Sequence, residues 1–262
     1  VQVHVRDQAL HFLELGYDVN VLAPSETETG HPEWFTSGGP SRSVSYNGSV
    51  ARLAFGLAPT KRVREWIRDH EFDVLHVHEP LAPSLSALAV WSATGPIVGT
   101  FHSSMERSRM LAVGNALART VLEKIRGRIA VSESARRTFV EHVGGRFVVI
   151  PNGIEVANFA GNDALPGHPR PHSLLFLGRM NEPRKGLPVL LEALPKVAEH
   201  IPDVSLLIAG PGDADEAIDM LPPEHRHRVE FLGFVPDTQK AATLRSATAY
   251  VAPNTGGESF GI

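Results

Sequence analysis

The 262-residue chain contains no cysteine. Disulfides, thiolate nucleophiles and cysteine-ligated metals are therefore excluded, and a reducing cytoplasm is a compatible setting. Missing too is any apolar run near the roughly 20 residues that span a bilayer. The first residues do not read as a secretory signal. Nor is there an excess of positive charge, since 25 Lys and Arg face 29 Asp and Glu, a formal net charge of −4. That balance argues against a protein that wraps nucleic acid, and no nucleic-acid partner is expected, although a local basic patch stays open. With 42% hydrophobic and 21% charged residues, neither disorder nor a fibrous repeat is indicated. The length allows one large domain or two modest ones.

What is present reads as strands alternating with helices. Val1 to Leu13 has the pattern of an amphipathic helix already under way, with no capping residue ahead of it. The chain stops at Ile262 as a glycine loop is about to launch another element, so both ends are expected to be cut from something longer. Leu15-Gly16 reads as a helix stop before a buried strand, Tyr17 to Pro24, and Ser25 to about Gly48 as loop with short strands. A basic helix is predicted from Pro59 to about His70. Strands are predicted at Asp73–His78, Pro96–His102, Arg128–Ser132 and Arg146–Ile150, with helices at Pro83–Ser92, about Arg109–Gly127, and one opening at Glu133-Ser134.

After the turn Pro151-Asn152-Gly153, a second series places strands at Ser173–Leu177, Val204–Gly210, Val229–Gly233 and Ala249–Ala252. Its helices fall at Leu187–His200, from Ala214, and at Thr238–Ser246. Such alternation implies right-handed βαβ units and parallel sheets. The expected fold class is α/β, with two doubly wound, Rossmann-like domains over residues 1–152 and 153–262, the second incomplete. In such sheets ligands sit beyond the carboxyl ends of strands, and between two such domains that means a cleft.

Three residues at predicted strand ends suit a sugar pyrophosphate. Arg179 and Lys185 lie in the loop Gly178-Arg179-Met180-Asn181-Glu182-Pro183-Arg184-Lys185-Gly186, and Glu258 follows Gly256-Gly257. A departing nucleoside diphosphate gathers negative charge, which fixed cations stabilise without a metal. A carboxylate such as Glu258 accepts hydrogen bonds from sugar hydroxyls, beside amides of Phe260, Gly261 and Ile262 at a helix amino terminus; it also reads as a helix cap. Arg184 reads equally as a ligand or as solvent-facing.

His102 closes a predicted strand, where a neutral imidazole could bond a sugar hydroxyl or steady positive charge at an anomeric carbon. His76 and His78 share one strand face and, with Glu79, suggest a metal; packed strand-end histidines explain them better, and no metal site is expected. The helix from Pro59 carries Lys61, Arg62, Arg64 and Arg68 around Val63, Trp66 and Ile67. It reads either as a helix lying on anionic lipid or as one packing its apolar face on its own sheet. Asn47 marks a turn that could also meet a polyol.

The series His76-Val77-His78-Glu79-Pro80, Gly99-Thr100-Phe101-His102, Ile150-Pro151-Asn152-Gly153, Glu182-Pro183-Arg184-Lys185-Gly186 and Gly256-Gly257-Glu258-Ser259-Phe260-Gly261-Ile262 resembles the retaining GT-B glycosyltransferases of family 4. More narrowly the chain is similar to those that add the first mannose to phosphatidylinositol, through Tyr46-Asn47-Gly48-Ser49 and the Trp66 helix. The resemblance implies GDP-mannose as donor, phosphatidylinositol as acceptor, no cofactor, and attachment to the inner face of the plasma membrane. Arg179 and Lys185 would hold the diphosphate and Glu258 the mannose, with backbone contacts from Phe260, Gly261 and Ile262. Val235, Asp237 and Lys240 would meet the guanine, His102 would sit by mannose and acceptor, and Lys61, Arg62 and Arg64 would face lipid headgroups.

The departures are a missing first strand and Gly-Gly loop, a missing second glutamate and closing helices, and Glu65 where the family tends to carry a cation. The expectation is a transferase whose isolated segment is weakly active or inactive. Two other readings stay open: a family-4 enzyme with another sugar nucleotide or a soluble acceptor, and a two-lobed ligand-binding protein without catalysis.

Overall fold

The computed structural model describes residues 2–46, 49–103, 115–161 and 163–256. The chain forms two compact units, one running from the amino terminus to Ile154 and the other Glu155–Gly256.

The first unit opens with the helix Gln2–Glu14, followed by β1 (Val21–Ala23) and β2 (Phe35–Ser37), which pair in parallel. The strand expected over Tyr17 to Pro24 is shorter and only half-buried, because Tyr17 is exposed and Asn20 gives its side chain to other work. Asn20 Oδ1 accepts from Thr36 Oγ1 at 2.8 Å and from the Trp66 indole at 2.7 Å. β3 (Arg42–Tyr46) and β4 (Ser49–Leu53) then make an antiparallel hairpin whose second strand the sequence pattern did not announce. Its turn residues, Asn47 and Gly48, lie outside the described residues.

The main sheet of this unit has the order β5-β6-β7-β8, all parallel, from β5 (Leu75–His78), β6 (Ile97–Phe101), β7 (Gly127–Ala130) and β8 (Val148–Val149). Helices Leu85–Ser92, Asn115–Lys124 and Glu133–Val143 connect them. Ser132 caps the last of these helices by accepting from the Ala135 N–H at 3.0 Å, and Gly144 at φ 72° stops it.

In β5 the period-two alternation buries Leu75 and Val77 on one face and turns His76 and His78 to the other. Leu75 and Val77 join Val63, Trp66, Ile97, Phe101 and Phe139 in the core. At roughly 25 cal/mol per Å2 of apolar surface, a fully buried Phe or Ile contributes about 1.5–3 kcal/mol, and that cluster is what fixes the strand ends in space.

The second unit is a four-stranded parallel sheet of β9 (Ser173–Leu177), β10 (Ser205–Ala209), β11 (Val229–Gly233) and β12 (Ala249–Tyr250), in the order β11-β10-β9-β12. Its central strands β9 and β10 are nearly continuous buried apolar runs, as strands covered on both faces require, whereas β11 carries Glu230 and β12 is exposed. Helix Leu187–His200 buries Leu187, Leu190, Leu191 and Leu194 against Phe176, Leu206 and Ile208.

Candidate functional site

The order β11-β10-β9-β12 makes the chain leave β9 toward one edge and return on its other side. The gap beyond the carboxyl ends of β9 and β12 is thus a topological switch point, the position where open α/β sheets bind ligands. Gly178-Arg179-Met180 leaves β9 along the chain after β10. Gly178 N–H donates to the Ala209 carbonyl at 2.9 Å and Met180 N–H to the Pro211 carbonyl at 3.0 Å. The turn Pro183–Lys185 follows and ends at Gly186, φ 77°. A side chain on Gly186 would run into the Pro253 carbonyl, and Thr255 N–H donates to the Arg184 carbonyl at 3.0 Å. The segment after β12 is therefore laid directly on the turn after β9.

At the centre of that turn is Glu182, only 8% exposed. Its Oε1 accepts from Arg179 Nη1 at 3.0 Å and its Oε2 pairs with Arg184 Nη2 at 3.0 Å. One buried carboxylate thus fixes two guanidinium groups, while half of the Arg179 side chain stays open to solvent. The Lys185 stem crosses Gly178, its Cδ 3.7 Å from where a Gly178 side chain would begin. Two cations at a switch point, Arg179 held by Glu182 and Lys185 after it, can bind an anion of diphosphate size.

Further along, the Val235 side chain packs with Leu175, Leu207 and Ala209, so any ligand there meets its main chain. Asp237 opens the helix Asp237–Arg245 and pairs with Lys240 at 2.6 Å. Phe234 beside them is 76% exposed, an aromatic face the sequence reading passed over.

In the first unit the carboxyl ends of β5 and β6 carry a histidine cluster. His78 Nδ1 lies 2.9 Å from His102 Nε2, and His76 Nε2 lies 2.7 Å from Thr100 Oγ1. His4, from the opening helix, brings its ring to 5.7 Å from that of His78 and 5.4 Å from that of His102. Glu79, with φ 53°, accepts from the His102 N–H at 2.7 Å and from Ser103 Oγ at 2.8 Å. Burial pushes His76 down to about 4 and His102 down to about 3, and holds His78 well below the ordinary imidazole range. Burial raises the Glu79 carboxyl, against the bonds from Ser103 and the His102 N–H. The imidazoles are neutral near pH 7 and able to accept or donate hydrogen bonds.

The basic helix is Leu57–His70, and it answers the question the sequence left open about Trp66. Val63 and Trp66 are buried in the core, with the indole N–H bonded to Asn20. Trp66 is a packing residue, so it does not meet a lipid surface. Arg62 turns to Glu28 in a two-pronged pair at 3.0 and 2.9 Å, which matches its charge. Lys61 and Arg64 are exposed, Lys61 with Glu65 at 3.7 Å.

Comparison with known proteins decides the family. The profile described as Glycosyltransferase Family 4 matches residues 1–158, and that described as Glycosyl transferases group 1 matches residues 171–262. The chain belongs to glycosyltransferase family 4. Within this family it is 51% identical over 263 aligned residues to the phosphatidyl-myo-inositol mannosyltransferase of Mycobacterium tuberculosis, covering 100% of this chain and 69% of that one. The Mycolicibacterium smegmatis protein of the same name is 50% identical over 100% of this chain and 68% of its own.

The fold is GT-B. Sucrose-phosphate synthase of Thermosynechococcus elongatus superposes at TM-score 0.66 and 18% identity, over 99% of this chain and 71% of that chain. The Anabaena protein HepE, in complex with UDP, superposes at 0.60 and 20% identity, over 78% and 58%.

In this family-4 chain, Arg179 and Lys185 stand at one strand end as the sequence suggested. Glu258, Phe260, Gly261 and Ile262 lie outside the described residues, as does Asn47. The metal reading weighed for His76, His78 and Glu79 finds no support in placement, since His76 turns to Thr100 and Glu79 to the His102 N–H. His4 instead stands beside His78 and His102. No periodic signal marked it, because its position depends on how the opening helix docks. Glu182 stood in plain view within the Glu-Pro-Arg-Lys-Gly segment, but only burial shows that it is the anchor. No helix among the described residues is long and apolar enough to cross a membrane.

Proposed function

We propose that the protein is a retaining mannosyltransferase that moves mannose from GDP-mannose to the inositol of phosphatidylinositol, working peripherally on the inner face of the plasma membrane. The observation that carries this reading is the placement of Arg179, locked by Glu182, and Lys185 at the switch point of β9 and β12. The names of the relatives that match this chain over its whole length support the choice of mannose and inositol.

In the reaction the bond from the anomeric carbon to the diphosphate oxygen breaks, and a bond from that carbon to an inositol oxygen forms on the same face. The hydroxyl proton leaves with GDP. Charge grows on the diphosphate as its bond lengthens. The Arg179 fork, fixed by Glu182 before the substrate arrives, stabilises that charge without reorganising, and the Lys185 ammonium adds to it. Glu258 would hold the mannose hydroxyls, and neutral His102, placed by Glu79, would bond the sugar or the acceptor. Asp237 and Lys240, with the main chain at Val235, would meet the guanine. Lys61 and Arg64 would draw the protein to anionic headgroups. The residues invoked need no cofactor.

Calorimetric titration tests the donor half. GDP should bind more tightly than UDP or ADP, and Arg179→Ala should weaken it about tenfold or more, the loss of a charge-assisted pair. Equal binding of the three nucleotides, or an unchanged Arg179→Ala, rejects the reading. Transfer of labelled mannose to phosphatidylinositol, compared with free inositol phosphate, separates the lipid acceptor from a soluble one.

A further inference from the structure

We propose that His4, His78 and His102 form a three-histidine site for a divalent transition metal of the zinc class. The inference does not depend on the transfer reaction, although it shares His102 with it, and rests on geometry. One nitrogen from each of the three rings lies within 4.8 Å of the others. The ring centroids are 5.7 Å apart for His4 and His78, 5.4 Å for His4 and His102, and 5.2 Å for His78 and His102. With zinc–nitrogen bonds of about 2.0–2.1 Å, imidazoles around a tetrahedral ion have centroids about 5.2 Å apart, against about 4.6 Å for adjacent positions of an octahedron. The observed triangle fits the tetrahedral ion.

The three ligands come from separate elements: the opening helix, the end of β5, and the residue after β6. Two are already held in place. The His102 main chain is tied to Glu79, and His78 stacks on His76 at 4.5 Å. The 2.9 Å between His78 Nδ1 and His102 Nε2 holds one proton between two nitrogens. Metal entry moves that proton to the far nitrogen of one ring and spreads the two nitrogens by about 0.4 Å, to the roughly 3.3 Å of a tetrahedral site. Burial keeps these rings neutral, which is the form that binds metal.

Three histidines leave the fourth position of a tetrahedral ion for water or another oxygen ligand. A bound ion would also withdraw the His102 ring from any contact with a sugar. Imidazole nitrogen selects zinc, cobalt, nickel or copper over magnesium and calcium, which prefer oxygen.

The test is titration of the untagged chain with Zn2+ alone, followed by calorimetry, and with Co2+ alone, followed by visible absorption. The expected result is one equivalent bound with a micromolar or tighter Kd, strong tetrahedral cobalt bands, and no displacement by excess Mg2+. His4→Ala, at a half-buried ring on the helix surface, should weaken binding more than tenfold with circular dichroism unchanged. His102→Ala serves as the second variant should His4→Ala fail to fold. His227→Ala, in the other unit, should change nothing. Absence of binding, bands that survive both ligand substitutions, or bands lost in His227→Ala would overturn the proposal.

Discussion

Arg179 Nη1 rests 3.0 Å from Glu182 Oε1, and the other oxygen of the same buried carboxylate holds Arg184. An arginine so anchored meets its ligand with the guanidinium already aimed. Ordering a loose arginine on binding costs about 0.5–1.5 kcal/mol, so preorganisation here accounts for up to about a tenfold gain in affinity. We expect Glu182→Ala to weaken GDP binding three- to tenfold and Glu182→Asp to weaken it less, both read by calorimetry. Tighter binding in Glu182→Ala would mean that Glu182 acts chiefly as a counter-charge, and the positioning role would be lost.

Gly186 carries a second expectation, on stability. Its φ of 77° and the Pro253 carbonyl in its side-chain direction leave Ala nowhere to go. Gly16, with φ 87° and nothing within 4 Å, imposes only the backbone penalty. Gly16→Ala should cost about 1 kcal/mol, and Gly186→Ala at least about 2–4 kcal/mol because backbone must move as well. Denaturant midpoints of the two variants check the ordering; equal losses would show that the loop after β12 yields easily.

Much of this was readable from the sequence wherever a local rule decided it. Helix Leu187–His200 and strand Val229–Gly233 match the pattern residue for residue, since both are bounded by glycine, proline or a polar break, and the helix buries Leu187, Leu190, Leu191 and Leu194 at helical spacing. The histidines of β5 share a face because strand alternation is obeyed. What escaped depends on contacts between distant segments. Glu28 reaches Arg62 across 34 residues, His4 reaches His102 from the opening helix, and Asn20 claims Trp66. A helical stripe of basic residues around a tryptophan reads alike whether the ring meets lipid or core, and only the partner of the indole N–H separates them.

The helix Leu57–His70 supports a prediction at the membrane. Lys61 and Arg64 are exposed, whereas Arg62 is matched by Glu28. Each basic residue near an anionic surface contributes about 1 kcal/mol, so reversing two of them costs binding by well over tenfold. Lys61→Glu with Arg64→Glu should abolish sedimentation with phosphatidylinositol-containing vesicles, while Arg62→Ala should reduce it little. If Arg62→Ala proves as damaging as the double reversal, the Glu28 pair does not withhold that charge and the surface has been misassigned.

The neutral histidines make the first unit sensitive to acid. His76 is pushed down to about 4, His102 to about 3, and His78 well below 6.5, all chiefly by burial. The unfolded chain binds protons on these rings near pH 6.5, before the folded chain does. Stability is therefore complete above pH 6.5 and falls as pH drops toward 4, by up to about 1.4 kcal/mol per pH unit for each ring. With EDTA present, urea midpoints followed by tryptophan fluorescence should drop from pH 7 to pH 5, and all three tryptophans, Trp34, Trp66 and Trp91, report on this unit. His76→Gln, which keeps a partner for Thr100, should remove about one proton from the slope. A midpoint that stays level over that range, or a slope the substitution leaves unchanged, would mean that the rings take up protons as readily in the folded chain as in the unfolded one.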